Sequence, residues 1–227
     1  MTSKTSTTTG DSIQPRIGKD EVTIILPVLD EEAAIGKVLD ELKLEGYPNI
    51  LVVDGYSRDD TVKIARAAGA QVITQHGTGK TGGIKTAIEY VETPYLLVMD
   101  GDGTYSAKDI KKFLTFAGEF DQILGNRAND NISSLHRLGN WVINTSLNIL
   151  FGTSISDVCT GMYLMRTDTA KKLEYRSRGF NVEVELAIQN LWTGSVTEVP
   201  IGYGERLGNK KLSSWGDGFK ILWTVIR

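Results

Sequence analysis

Apolar residues along this chain fall into short blocks, each followed by a longer stretch in which apolar positions lie three and four apart. Val22–Pro27 is the first block, a strand that Pro27 closes. Ile35, Val38, Leu39 and Leu42 then mark one face of a helix. Residues 49–54 read as the second strand, and Val62, Ala65 and Ala68 as the apolar side of a short helix that Ser57 or Asp59 can cap. A third strand over 70–74, a helix over 83–91 and a fourth strand over 95–100 complete the first half. The second half continues with a helix over 108–117 and a strand over 122–125. The polar segment 128–134 reads as a mobile loop. A helix beginning at His136 and Arg137 follows, with Leu138, Trp141, Val142 and Ile149 on its apolar side, then a strand over 162–165 and a helix over 181–192. Strand–helix alternation at this spacing predicts an α/β fold with right-handed crossovers and a mainly parallel central sheet flanked by helices.

In such a sheet ligands bind beyond the carboxyl ends of the strands. Those ends carry Asp30 and Glu31, Asp54, His76, and the pair Asp100 and Asp102. Leu96–Met99 is apolar without a break, as in a strand buried on both faces, and stops at two carboxylates separated by Gly101. Residues two apart on an extended chain point to the same side, so the pair can hold one object. Carboxylates without a nearby His or Cys form a hard oxygen site, suited to Mg²⁺ or Mn²⁺ rather than zinc. The competing reading is an Asp-Gly turn with solvated acids. Acids at several strand ends weigh against it, because they would repel one another without a cation or a donor-rich ligand between them.

Composition narrows the picture. The chain has 227 residues with 41% hydrophobic, enough for one α/β domain and its core. A net charge of −3 argues against a nucleic-acid partner. The single cysteine, Cys159, precludes an internal disulfide and fits the cytoplasm. No apolar run is long enough for a membrane span, and residues 1–20 lack a signal-peptide core and read as a flexible tail.

Gly77, Gly79 and Gly82 match the dinucleotide-binding pattern G-x-G-x-x-G, which would point to an oxidoreductase. The motif follows the third strand, however, whereas that fingerprint belongs at the first βα turn. A phosphate-binding loop fails too, because Thr74 stands where it needs glycine. The milder expectation is a flexible loop whose Lys80 meets a phosphate or base.

The motifs, in order, resemble those of the inverting family-2 glycosyltransferases with a GT-A, Rossmann-like fold, and most closely the polyprenyl/dolichyl-phosphate sugar synthases. Ile25–Glu31 resembles the family's strand-Pro-Asn-Glu turn, and Val52–Thr61 its Val-Asp-Asp-x-Ser-x-Asp-Gly-Thr. Asp100-Gly101-Asp102 resembles the Asp-x-Asp metal motif, and Gly125-Asn126-Arg127 its Gly-Ser-Arg. Asp157–Gly161, Glu198–Ile201, Arg206 and Lys211-Leu212 resemble its later motifs. Gly55, Asp60, Thr104 and Lys210 depart from the pattern. The resemblance implies a GT-A domain over 21–213, with a nucleotide-sugar half to 105 and an acceptor half after it. It implies a GDP- or UDP-linked sugar donor held by Pro27, Leu29, Glu31, Asp54, Lys80, Asp100 and Gly101, with Mg²⁺ or Mn²⁺ on Asp100 and Asp102. Asp102, Arg127 and Asp157 are the implied catalytic residues.

Arginine forks match phosphate oxygens, so Arg127, Arg137 and Arg206, with Lys211, are expected to orient an anionic acceptor, a polyprenyl or dolichyl phosphate. Such an acceptor is already ionised and needs no base. A glycan hydroxyl acceptor would need one, with Asp157 or Glu183 as candidates. Glu183 and Glu185 lie two apart on one helix, so only one can face the site; Glu183 is favoured because the resemblance puts an acid shortly after Gly-Phe. Trp215, Phe219, Leu222, Trp223 and Ile226 fall on one side of a C-terminal helix over 214–227. That face is either core or a peripheral contact with the cytoplasmic face of a membrane. A sugar-nucleotide-binding module without activity is the non-enzyme alternative.

Overall fold

The computed structural model describes residues 14–127, 134–177 and 182–208. The C-terminal helix expected over 214–227, Lys211 and the loop residues 128–133 lie outside the described residues.

Seven strands form one sheet: β1 (Val22–Val28), β2 (Ile50–Asp54), β3 (Gln71–Thr74), β4 (Tyr95–Val98), β5 (Gln122–Arg127), β6 (Tyr163–Arg166) and β7 (Val196–Ile201). Their order is β3-β2-β1-β4-β6-β5-β7. β1 pairs in parallel with both β2 and β4, and β5 with β7. β6 runs antiparallel to both its neighbours, β4 and β5. The mainly parallel α/β sheet expected from the alternation is therefore present, with one reversed strand at its centre.

Both faces of the sheet are covered, which is why its central strands read as unbroken apolar runs rather than as alternation. Ile24, Leu26 and Leu97 face a core closed by α1 (Ile35–Leu44), α2 (Thr61–Ala67) and α4 (Ile110–Phe116). Ile25, Leu96 and Val98 face the opposite core. That side is closed by α3 (Gly79–Glu89), α5 (Ser134–Phe151), α6 (Thr167–Lys172) and α7 (Val182–Thr193). Among the described residues no helix is long and apolar enough to cross a membrane.

Three boundaries differ from expectation. α3 starts at Gly79 rather than 83, so Lys80 sits in its first turn and not in a flexible loop. The glycines that suggested a loop instead permit close packing, since a Cβ at Gly82 would lie 2.9 Å from the His76 carbonyl oxygen. The expected tail over 1–20 is shorter where it is described: the Arg16 N–H donates to Leu114 O at 3.0 Å, and the Lys19 ammonium meets the Glu45 carbonyl. The third is α6, too short to leave a periodic signature.

Gly125 lies in mid-strand, where a Cβ would come 3.0 Å from the Met162 carbonyl and 2.4 Å from Ile201 Cδ1. The backbone oxygen cannot yield as a side chain can. Gly125→Ala should destabilise the fold by about 1–3 kcal/mol, lowering Tm by roughly 2–12 °C in thermal denaturation. An unchanged Tm would mean that β5 and β6 separate without cost.

Candidate active site

The carboxyl ends of β1, β2 and β4 meet at one edge, and the loops leaving them are laced together. The Asp30 N–H donates to Ser57 Oγ at 2.9 Å, and the Arg58 N–H to Asp30 Oδ1 at 2.7 Å. The Glu31 N–H donates to Thr61 Oγ1 at 2.7 Å. Asp54 is buried and folds its own loop, accepting the Tyr56 and Ser57 N–H groups at 3.1 Å each. Short polar side chains that accept backbone N–H two and three residues on are the usual makers of such turns. Pro27 lies within β1, and Leu29 just beyond it is 43% exposed.

Three ion-pair clusters lie at this edge, and the first two tie it to the second half of the chain. In the first, Lys80 Nζ lies 2.5 Å from Asp100 Oδ1 and 2.5 Å from Glu183 Oε1. Burial opposes a charge here, yet the two carboxylates hold the ammonium well above the usual lysine range. Burial pushes the Glu183 carboxyl up, since it shares a single cation with Asp100. Glu183 Oε2 is buried with no hydrogen bond among the described residues. Glu185, two positions on, turns away to accept the Arg176 and Ser177 N–H groups. The Asp100 side chain keeps 32% of its surface exposed.

In the second cluster Arg206, just beyond β7, pairs with Asp102 Oδ2 at 2.6 Å and with Glu31. Asp102 is buried, and its Oδ1 accepts the Thr104 hydroxyl at 2.6 Å and the Thr104 N–H at 3.0 Å. Thr104, one of the departures from the resembled pattern, therefore fastens Asp102 in place. The Leu207 N–H donates to Asp102 O and the Gly204 N–H to Thr104 O, so 204–207 lies along this turn as a strap.

The third cluster is a fork. Arg127 donates to Asp157 through Nε at 2.6 Å and a terminal nitrogen at 2.7 Å, and to Cys159 O at 3.1 Å. Its guanidinium stands 5.1 Å from the Tyr203 ring centroid, and that ring meets Tyr105 edge-on at 5.3 Å. Burial pushes the Cys159 thiol up to about 12, so it is no nucleophile. The Tyr105 hydroxyl accepts the Gly161 N–H at 2.8 Å. Gly161 itself runs against the metal-motif acid: a Cβ there would lie 2.1 Å from Asp100 Oδ2.

The structure thus brings Lys80, Asp100 and Glu183 together, Glu31, Asp102 and Arg206 together, and Arg127 with Asp157. Gly101 packs against Val28, where a Cβ would come within 2.7 Å of Cγ1. Arg137 is exposed on α5. Sequence reasoning missed Tyr105, Tyr203 and the clamp of Thr104 on Asp102. A Tyr outside any motif leaves no signal of its own, and Gly161, which closes the Asp157–Gly161 motif, gives no sign in sequence of its contact with Asp100.

The chain is similar to known proteins in sequence and in fold. The model of the family described as Glycosyl transferase family 2 matches residues 23–174. Glycosyltransferase AglJ of Haloferax volcanii is 34% identical over 194 residues, 82% of this chain; the chain spans 64% of AglJ. The dolichyl-phosphate hexose transferase of the same organism is 30% identical over 215 residues, 92% of this chain and 93% of that protein. Among solved structures, glucosyl-3-phosphoglycerate synthase from Mycobacterium tuberculosis with Mn²⁺, UDP-glucose and phosphoglyceric acid superposes with a TM-score of 0.78 at 19% identity, covering 90% of this chain and 78% of that one. That likeness shows the GT-A fold. With its family model spanning the sheet from β1 to β6 and two relatives at 30% identity or more, the chain belongs to glycosyl transferase family 2 and is a glycosyltransferase.

Proposed function

We propose that this glycosyltransferase moves a sugar from a nucleotide-diphosphate donor, bound over the carboxyl ends of β1, β2 and β4, to a hydroxyl acceptor. The observation that carries the reading is Asp100, a partly exposed carboxylate at the end of β4 with buried Lys80 and Glu183 directly behind it. Pro27, Leu29, Glu31 and Asp54 border the place for base and ribose, and Gly101 lets the chain pass closely beneath the diphosphate. The donor set fits a hard divalent cation, Mg²⁺ or Mn²⁺: carboxylate oxygens only, Asp100 partly open, and Asp102 fastened by Thr104 beside it. Asp100 and Asp102 would hold the ion, which supplies Lewis-acid neutralisation of the leaving diphosphate. The solved relative named above carries Mn²⁺ and UDP-glucose, in line with this reading.

A hydroxyl acceptor needs a base, and two carboxylates are at hand. Asp157 is engaged on both oxygens by Arg127, which leaves neither oxygen open to an acceptor hydroxyl. Glu183 has an oxygen without a partner and a raised pKa, the state of a carboxylate fit to take a proton. Arg127 and Arg206, expected to grip an acceptor phosphate, are already matched by Asp157 and by Glu31 with Asp102. Phosphoglyceric acid in the solved relative is likewise a non-lipid acceptor type.

A polyprenyl or dolichyl phosphate is the second reading. It is favoured by the relative named for dolichyl-phosphate hexose transfer, which matches this chain over nearly the whole length of both. There the three arginines and Lys211 would orient the phosphate, exchanging their present carboxylate partners for it.

Two measurements test these assignments. Asp100→Asn should lower kcat by about 10²–10³-fold and abolish the Mn²⁺-dependent part of the thermal shift given by UDP- or GDP-sugars, measured against the variant's own ligand-free Tm. A metal-dependent shift that survives the substitution refutes the metal role. Glu183→Gln should cost about 10²–10⁴-fold in kcat with a hydroxyl acceptor, leaving donor binding intact. In the wild type the rate should fall on the acid side at a pH above the ordinary carboxylate range, because the base must be deprotonated and its pKa is raised. Turnover with polyprenyl phosphate that loses less than about tenfold in Glu183→Gln would establish the second reading, since an ionised phosphate needs no base.

A further inference from the structure

The outer face of α5 breaks the usual rule for a surface helix. Its inner side is committed to the core through Ile143 and Leu147, 3% and 0% exposed. Its outer side is apolar as well: Leu138 is 59% exposed, Trp141 63%, Ile149 78% and Leu150 63%. Leu138 and Ile149 are eleven residues apart, three helical turns, and so stand on one line. A surface helix ordinarily turns polar residues outward; here the half-buried Thr145 and Ser146 do so, but large apolar side chains stand exposed beside them. Trp192 at the end of α7 extends the patch, 80% exposed and edge-on to Phe151 with ring centroids 5.9 Å apart. Five of the nine large apolar side chains exposed among the described residues gather here, so the cluster is not the scatter of single residues found on any surface.

Charge identifies what covers it. The chain has 28 acidic residues in 227, so a run of 26 should hold about three; residues 131–156 hold none. The only formal charge within α5 that is fixed at neutral pH is Arg137, exposed beside Leu138. A protein partner would find no charges here to set its register. An anionic bilayer needs none: it offers negative head groups to Arg137, an apolar layer to Leu138 and Ile149, and an interfacial zone that suits the two indoles. α5 is no membrane span, so it would lie in the interface rather than cross it. We infer that α5, with Trp192, docks the enzyme on an anionic lipid surface. On its inner side α5 holds the segment that carries Asp157, with Asn144 donating to Ser156 O and accepting the Val158 N–H at 3.0 Å, so docking of α5 would hold the Arg127–Asp157 fork one helix away from the lipid. The inference holds for either acceptor chemistry, provided the acceptor is carried on a lipid.

The test is co-sedimentation of the full chain with vesicles of 70% phosphatidylcholine and 30% phosphatidylglycerol, against pure phosphatidylcholine. Wild type should bind the anionic vesicles. Leu138→Glu/Ile149→Glu should bind at least about tenfold more weakly, since two apolar anchors become like charges. Leu44→Glu, at an 84% exposed leucine on the opposite layer, should bind as wild type. Both variants should keep the wild-type Tm and the donor-induced thermal shift, which separates failure of docking from failure of the proposed sugar transfer. No sedimentation of wild type, or binding unaltered in the double variant, overturns the inference. So does gel filtration in which wild type is a dimer and the double variant a monomer, which would make the patch a contact between copies of this chain.

Discussion

Everything at the active edge depends on one buried ammonium. Lys80 Nζ touches Asp100 and Glu183, and these three residues come from α3, the end of β4 and α7. Two carboxylates this close in a place shielded from water would repel and one would take up a proton. A single cation between them removes that conflict and at the same time locks three elements from opposite halves of the chain. Removing one partner from such a buried pair costs about 3–5 kcal/mol, so the arrangement fixes tertiary structure as firmly as the apolar packing around it. It also explains why α3 begins four residues earlier than its apolar periodicity implies: Lys80 has to sit in a rigid first turn.

The other two clusters repeat the scheme. The first half brings acids to its strand ends, and cations for Glu31 and Asp102 arrive with Arg206, more than a hundred residues later. Arg127 and Asp157, both from the second half, neutralise each other and pack with Tyr203 and Tyr105. The halves are therefore joined at the site by charge as well as by the sheet. Five carboxylates here face three cations, so the proposed donor diphosphate would need a divalent cation to offset the excess negative charge at this edge.

Much of this was legible before the structure. Blocks such as Val22–Pro27 and Leu96–Met99 are buried on both faces, and two-sided burial leaves an unbroken apolar run that is hard to mistake. The strand-end acids followed from the rule that ligands bind beyond those ends, and Glu183 rather than Glu185 does face the site. What stayed hidden has a common physical character. Gly77–Gly83 looked like a loop because glycine signals both freedom and close approach, and here the packing of α3 against the 76–77 backbone decides. The pairing of Arg206 with Glu31 and Asp102 spans the chain, and local pattern carries no information about such partners. Arg127 and Arg206 lie among the acids of this edge while Arg137 is exposed on α5, and the carboxylate partners of the first two could not be read from one dimension.

Thr104 illustrates how a departure from a motif acquires meaning only in three dimensions. By sequence it stands where a longer polar side chain could have joined a metal. In the structure its hydroxyl and N–H both close on Asp102 Oδ1, while Arg206 takes Oδ2. Asp102 is thus held on both oxygens, whereas Asp100 is fixed through one oxygen and remains partly open to solvent. The two acids of one motif are consequently unequal. In the proposed metal site Asp100 would offer the ion its more open side, whereas Asp102, besides its part there, anchors the strap at 204–207 through Thr104 and Arg206. The strap and the proposed metal site are thus coupled through a single side chain.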